Sequence, residues 1–277
     1  MNVFFRDIFS LRAICQFSQA ALCVKPLPVH TILRSMYELV ISADAASFDW
    51  LGRIERDVCR DAEAVSACTM ERDTAYLCIG AEKKAAHAVR KCVVRAIGKI
   101  LLGDVKRAFI RRRIGDIKVS RQSRELLVHA LTRFDRETEE DMLGECLTVE
   151  RRLDIEGFRL FRMRKFHLRW EEMCELARTH GGYLADEKTF YDLLRFLVDS
   201  GKNDEARAEV YRFNGKYRSV ETHPDGEREE KVYEGFIELL CGMIDLSPSQ
   251  IALGGFGYDA DYRRLGSIFD VHCNILH

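Results

Sequence analysis

The chain has 277 residues, of which 47% are hydrophobic, 31% are charged and only four are proline. This composition is that of a folded protein and excludes long disordered or linker segments. The formal net charge of -1 excludes a uniformly basic or acidic protein, but it conceals a strong separation of positive and negative charge along the chain.

The ten cysteines are spread along the chain, and none of them forms a CxxC pair. Several lie in apolar runs, which is typical of reduced, buried thiols in a reducing cytoplasm. No stretch of 18 uncharged apolar residues occurs. We therefore expect a cytoplasmic protein without a membrane-inserted segment or a targeting segment.

The first 80 residues alternate between short apolar runs and helix-like stretches. They predict strands over residues 2–5 and 75–79 and helices over residues 31–41 and 48–65. Asp44 and Ser47 can cap the second helix, because a short side-chain oxygen accepts a free backbone N–H there. A domain boundary near Gly80 is expected to separate a small N-terminal α/β region, residues 1–80, from a helical α+β body, residues 81–277.

The body begins with strong helical periodicity. From residue 85 to 114 apolar residues recur with the spacing of one buried helical face, and Gly103 is the expected break. Further helices are predicted over residues 123–134, 137–152, 158–180 and 186–199. The helix at 158–180 is expected to end at Gly181 and Gly182, since glycine tolerates the left-handed backbone that closes helices.

A β-hairpin is the clearest strand signal. Two strand-prone runs within residues 208–220 flank Asn214 and Gly215, and this dipeptide favours a type I′ turn because both residues adopt positive φ. Residues 221–230 are polar, and a helix over 232–244, a strand over 250–253, a helix over 259–269 and a strand over 271–276 follow. The expected fold is α+β and mainly helical, with a small sheet that includes the C-terminal β-hairpin and a strand-helix-strand tail.

Several segments, in order along the chain, resemble the YtxC family of sporulation proteins. LDIEGFRLFRM at residues 153–163 is similar to the family signature inxEGFxxFRL, and residues 185–198 are similar to its EKEYxEFIxLLKYFV helix. LSPSQIAL at 246–253 resembles aPkkIxlH, and Ile268 and Phe269 match the family's IF. The resemblance implies a protein associated with sporulation in spore-forming bacteria. The resemblance does not identify a biochemical activity, and it does not assign catalytic residues.

The basic segment, residues 83–125, carries fourteen Lys and Arg residues against three acidic residues, a local net charge of +11. Such a stripe can neutralise phosphates, and the planar guanidinium of arginine grips a phosphate with two donors. The candidate anion- or nucleic-acid-binding residues are Arg107, Arg111, Arg112 and Arg113. The alternative is that these cations face water or pair internally with the acidic run at residues 135–156.

A second basic group is interleaved with aromatic residues between Phe158 and Trp170. Its candidate binding residues are Arg162 and Arg164. Interleaved aromatic and basic side chains can stack on and pair with single-stranded nucleic acid. The alternative, which helical spacing favours, is that the aromatic residues form a core stripe and the cations face solvent.

Metal and cofactor sites are not expected. His272, Cys273 and His277 offer at most three ligands, whereas a structural zinc site needs four. Asp259 and Asp261 form a DxD that can hold a divalent cation, but a helix cap and a first-turn acid explain them equally well. No phosphate loop, dinucleotide fingerprint, nucleophile elbow, HExxH or kinase motif occurs.

Two hypotheses follow. The first is a non-enzymatic protein of the sporulation programme that binds a protein or nucleic-acid partner through a basic helical surface centred on residues 111–113. The second is a divergent enzyme acting on a phosphate-containing or other anionic substrate, in which Arg162 binds the anion and carboxylates such as Glu156 or Glu187 do acid–base or metal chemistry. A pocket that gathers Arg162 with carboxylates would favour the enzyme, and an exposed arginine surface would favour the binding protein.

Overall fold

The structure is a computed structural model that describes residues 36–273, except 182, 183, 185 and 225. The strand predicted at 2–5, the first part of the helix predicted at 31–41, Gly182 and residues 274–277 lie outside the described residues. The elements up to residue 146 are β1 (Met36–Asp44), α1 (Phe48–Asp61), β2 (Ala64–Glu71), β3 (Thr74–Glu82), α2 (Ala86–Lys99), α3 (Lys106–Arg113), α4 (Arg121–Arg133) and α5 (Arg136–Cys146). Those that follow are β4 (Arg152–Asp154), α6 (Ile155–Arg162), α7 (Arg164–Thr179), α8 (Glu187–Ser200), β5 (Asn203–Phe213), β6 (Lys216–Thr222), β7 (Arg228–Tyr233), α9 (Phe236–Leu246), β8 (Pro248–Gly254), α10 (Ala260–Ile268) and β9 (Val271–Cys273).

The N-terminal sheet has the strand order β2-β3-β1-β4. β1 pairs antiparallel with β3 along its whole length, and the short β4 pairs parallel with the other edge of β1. β1 buries every second residue, namely Tyr37, Leu39, Ile41 and Ala43. α1 and α2 add their apolar faces to these residues in the N-terminal core.

The helix predicted over residues 31–41 is wrong where the structure describes it, because Met36–Asp44 is a strand. The apolar residues there fit a period of two as well as a helical period, and pairing with β3 and β4 decides between them. The strand predicted over 75–79 is confirmed as part of β3. β2 begins where the predicted helix over 48–65 was expected to continue.

The boundary expected near Gly80 falls inside β3. The N-terminal core takes residues from far beyond that position, including Val89, Leu102, Leu143 and Phe166. β4 also returns to the sheet that β1 begins, after several intervening helices.

α2 and α3 form one long helix with a π-helical segment, Ile100–Val105, between them. The helix predicted over 85–114 is therefore confirmed, and Gly103 lies in the π segment. A π turn holds an extra residue, so it rotates the faces that α2 and α3 present. The buried residues of α2 belong to the N-terminal core, whereas Ile110 of α3 belongs to the C-terminal core.

The C-terminal sheet has the strand order β7-β6-β5-β8-β9. β5 and β6 form the predicted hairpin, and Asn214 and Gly215 have φ angles of 50° and 77°, as a type I′ turn requires. β8, α10 and β9 form the predicted strand-helix-strand tail, with β8 parallel to both β5 and β9. The α+β class is confirmed, and the structure contains two sheets.

A buried ion pair lies where α3, α5 and α7 meet. The fully buried Lys106 ammonium donates to Glu139 Oε2 and to the Phe134 carbonyl, each at 2.8 Å. Trp170 Nε1 donates to the other oxygen of Glu139 at 2.8 Å. Burial lowers the pKa of Lys106 and raises the pKa of Glu139 because both groups lose water, and their mutual attraction opposes both shifts.

Candidate functional site

Seven of the fourteen cations of the basic segment form ion pairs within the fold. Arg107 binds Asp245, Arg111 binds Glu125 and Arg113 binds Glu171, each at 2.8 Å. Further pairs within the segment are Lys84 with Glu82, Arg95 with Asp61, Lys99 with Asp57 and Lys106 with Glu139. Of the arginine cluster at 111–113, Arg112 alone is exposed without an ion pair to a described residue.

The second basic group divides into paired and unpaired cations. Arg159 binds Glu156 at 2.7 Å, and Arg169 binds Asp135 across to the start of α5. Three further cations are exposed and form no ion pair within the part of the chain that the structure describes: Arg162, Arg164 and Lys165.

The aromatic residues of this group divide in the same way. Phe158, Phe166 and Trp170 are buried in the N-terminal core, whereas the Phe161 side chain is 81% exposed. Leu160 and Leu168 are also exposed, although both are large and apolar. We call this set of exposed side chains the α6–α7 surface: Leu160, Phe161, Arg162, Arg164, Lys165 and Leu168.

Local sequence positions this surface at a break between two helices. Asp154 caps α6 by accepting the Glu156 N–H at 3.2 Å, and α6 ends at Arg162. Met163, which is fully buried, joins α6 to α7 and fixes the junction in the core. Residues 164, 165 and 168 then lie on one face of α7, because positions three and four apart are neighbours on a helix.

The Cys146 thiol lies near two cations of this surface. Burial raises the pKa of Cys146, and the nearby charges of Arg162 and Lys165 oppose that rise. The negative charge of Glu145 adds to the rise at the same thiol, so charges of both signs lie near the end of α5 beside this surface.

Arg162 does not meet the carboxylates that the enzyme hypothesis assigns to it. Glu156 binds Arg159 and accepts the Ser47 hydroxyl at 3.2 Å, and Glu187 lies 3.5 Å from Arg264. Arg162 does not line any of the three main pockets of the described residues.

A separate groove of about 1510 Å³ lies between α4, α9 and the strands β6 and β7. Arg107 and His129 Nδ1 each lie 2.8 Å from Asp245 Oδ1 on one wall. Arg133 projects from α4 beside them, and burial lowers its pKa. Carboxylates outnumber Lys and Arg among the lining residues, which favours a cationic ligand over a phosphate.

The opposite wall of the groove is a ladder of polar side chains on β6 and β7. Glu221 is buried, and its Oε1 accepts hydrogen bonds from Ser219 Oγ and the Tyr233 hydroxyl, both at 2.7 Å. Lys231 Nζ donates to the other oxygen, Oε2, at 2.7 Å. Burial and the hydrogen bond to Glu221 raise the pKa of Tyr233, so the phenol stays protonated as the donor.

Comparison with known proteins gives no further guide to these sites. No protein-family model, curated protein or solved structure matches this chain.

Sequence reasoning does not find the polar ladder of the groove. Ser219 and Glu221 alternate along β6 and His223 continues the alternation one residue past its end, which is the signal of one strand face, but their importance depends on burial and on pairing with β7. The predicted candidates Arg162 and Arg164 lie together on the α6–α7 surface, whereas the candidates on α3 lie elsewhere and are mostly paired.

The DxD of the tail serves structural roles. Asp259 caps α10 by accepting the Tyr262 N–H at 3.0 Å and binds Arg212, while Asp261 accepts the Tyr217 hydroxyl at 2.5 Å. Of the three tail residues considered as zinc ligands, His277 lies outside the described residues. Every cysteine whose side chain the structure describes is a free thiol.

We expect Asp259→Ala to lower the free energy of unfolding by about 1 kcal/mol, because α10 loses its cap. The backbone hydrogen bond from Tyr262 lowers the pKa of Asp259, so this stabilisation is present above the ordinary aspartate pKa of about 3.9 and is lost as the pH falls. Urea unfolding from pH 7 down to pH 3 measures both effects. Asp259→Asn is the control, since it keeps the cap and removes the charge; an Ala variant as stable as Asn at pH 7 would contradict the capping role.

Among the described helices, none has the length and apolar character needed to cross a membrane.

Proposed function

We propose that this protein binds single-stranded nucleic acid through the α6–α7 surface. The observation that carries the proposal is that Phe161, 81% exposed, directly precedes three exposed cations, Arg162, Arg164 and Lys165, that form no ion pair with described residues. An exposed aromatic ring can stack on a base, and the adjacent arginines can bind the backbone phosphates.

The cost of exposing these side chains supports a binding role. Three large apolar side chains that are close in sequence, Leu160, Phe161 and Leu168, face solvent, and exposed apolar residues grouped with charged ones mark interaction sites. The three charged residues of this surface, Arg162, Arg164 and Lys165, are all cations, so a partner with anionic groups and apolar faces complements it. Single-stranded DNA or RNA has that chemistry.

The test is binding of fluorescent single-stranded DNA, single-stranded RNA and duplex DNA over a salt series. In the variant R162A/R164A/K165A, the slope of log affinity against log salt should fall by about 2, because each phosphate contact on a single strand contributes about 0.7. The matched control is K83A/K91A/K118A, which removes the same charge from exposed lysines outside the surface and should leave most of the affinity.

Phe161→Ala separates stacking from charge. It should weaken single-strand binding roughly 5- to 150-fold, the range for loss of one stacked base, with an unchanged salt slope. The proposal would be overturned if both triple variants lost the same affinity, or if the wild-type protein bound no nucleic acid at low salt. In the second case, an acidic protein would be the partner to test next at this surface.

The biological setting is a further part of the proposal. It rests on the resemblance of residues 153–163 and the later segments to the YtxC family, which would place this activity in the cytoplasm of a spore-forming bacterium during sporulation. The yield of heat-resistant spores after deletion of the gene tests that setting, independently of the binding measurements.

A further inference from the structure

Three side chains that can bind a metal ion converge on the polar wall of the groove. Glu221 and Glu229 are directly opposed across β6 and β7, and His223 follows two residues after Glu221. Strand geometry therefore places Glu221 and Glu229 on one face of the sheet, and His223 lies one residue past the end of β6. One ligand atom from each residue lies within 4.8 Å of the others, and His223 Nε2 is 3.4 Å from Glu229 Oε2.

Glu221 is held ready as a ligand. Its Oε1 is engaged by Ser219 and Tyr233, both at 2.7 Å, so the carboxylate cannot turn freely, and its Oε2 is the oxygen that meets a cation. Hydrogen bonds of this kind orient the ligands of metal sites and are a large part of their affinity. The paired strands beneath supply a rigid base.

A cation already occupies the centre of the cluster. Lys231 Nζ lies 2.7 Å from Glu221 Oε2 and 3.0 Å from Glu229 Oε2. This ammonium shows that the carboxylates converge on a single cation position. It is carried on a flexible stem, and the Lys231 side chain is 37% exposed, so it can leave this position for solvent.

We propose that Glu221, His223 and Glu229 bind a divalent transition-metal ion, and that Lys231 takes its place in the metal-free protein. One imidazole and two carboxylates suit Zn²⁺, Co²⁺ or Mn²⁺ better than Mg²⁺, which prefers oxygen ligands alone. Three protein ligands leave at least one coordination position open toward the groove, which is the arrangement of reactive rather than structural metal sites.

The experiment is calorimetric titration of the full-length, reduced protein with Zn²⁺, together with absorption spectra of its Co²⁺ form. Wild-type protein should bind one equivalent that His223→Ala and Glu229→Gln each weaken by more than about tenfold. Both residues are partly or fully exposed, so these variants should fold. The Co²⁺ spectrum should lack the thiolate charge-transfer band that cysteine ligation would produce.

Lys231→Met tests the competition. It should raise the affinity for Zn²⁺ because the ion no longer displaces an ammonium, whereas Lys216→Met, which removes an exposed lysine from the same sheet, should leave it unchanged. Zn²⁺ binding that is absent, or equal in wild type, His223→Ala and Glu229→Gln, would overturn the metal site. An unchanged affinity in Lys231→Met would overturn the role given to Lys231.

Discussion

Replacing Lys106 by Met should lower the free energy of unfolding by about 3–5 kcal/mol at neutral pH, the usual result of removing one partner from a buried ion pair. Lys106 is fully buried, and its ammonium is the counter-ion of Glu139. Methionine has a similar shape, so the core stays filled. The loss arises because a carboxylate and the Phe134 carbonyl remain buried without their donor.

The pH dependence of this loss identifies its cause. Burial raises the pKa of Glu139. As the pH falls, Glu139 of folded K106M therefore takes up a proton at a higher pH than Glu139 of the unfolded chain. Its deficit relative to wild type should therefore shrink from pH 7 toward about pH 5. The double variant K106M/E139Q should recover at least about 2 kcal/mol, because the charge is gone and the Gln oxygen still accepts from Trp170. Thermal and urea unfolding measure these stabilities. A double variant that is no more stable than K106M would contradict the prediction.

Gly242→Ala should lower the free energy of unfolding by about 1–3 kcal/mol, the usual cost of overpacking. A Cβ added to Gly242 would lie 2.6 and 2.8 Å from ring carbons of Tyr233. Tyr233 is buried against α9, and its hydroxyl is held by Glu221 at 2.7 Å. The ring therefore cannot move away from an added Cβ without losing buried contacts or this hydrogen bond.

Gly144→Ala is the matched control for this clash. Gly144 lies in α5 with no neighbouring atom within 4 Å of an added Cβ, so Ala should stabilise the helix by about 0.5–1 kcal/mol. The same gain in helix propensity acts at Gly242, and the difference between the variants isolates the clash. A Gly242→Ala protein as stable as Gly144→Ala would show that Tyr233 is not fixed in the way described.

The features that sequence predicts well are those decided by neighbouring residues. Asn214 and Gly215 specify a turn by their own conformational preferences, and Asp259 caps a helix whose first turn it precedes. β7 shows the limit of such reasoning. Its six residues include Arg228, Glu229, Glu230 and Lys231, a composition typical of a loop, but charge is also how proteins protect an edge strand.

The candidate sites depend on contacts that no local pattern contains. Arg113 meets Glu171 on another helix, and Arg107 meets Asp245 far along the chain, so the charge of the basic segment does not predict its free surface. Phe161 has the spacing of the core stripe, but α6 ends at Arg162 and the break turns its side chain outward. The contacts of the buried Glu221 depend on the register of β6 against β7, and this register is known only from the folded sheet.

Two helices contribute buried residues to both hydrophobic cores. α7 contributes Phe166 and Trp170 to the N-terminal core and Cys174 to the C-terminal core, and the long helix of α2 and α3 is divided in the same way. Melting either core would remove the packing from half of each of these helices while leaving the other half in place. Since helices lose stability steeply when shortened, the two cores should unfold in a single cooperative transition, with the slowest amide exchange near the junction of α2 with α3 and near the middle of α7.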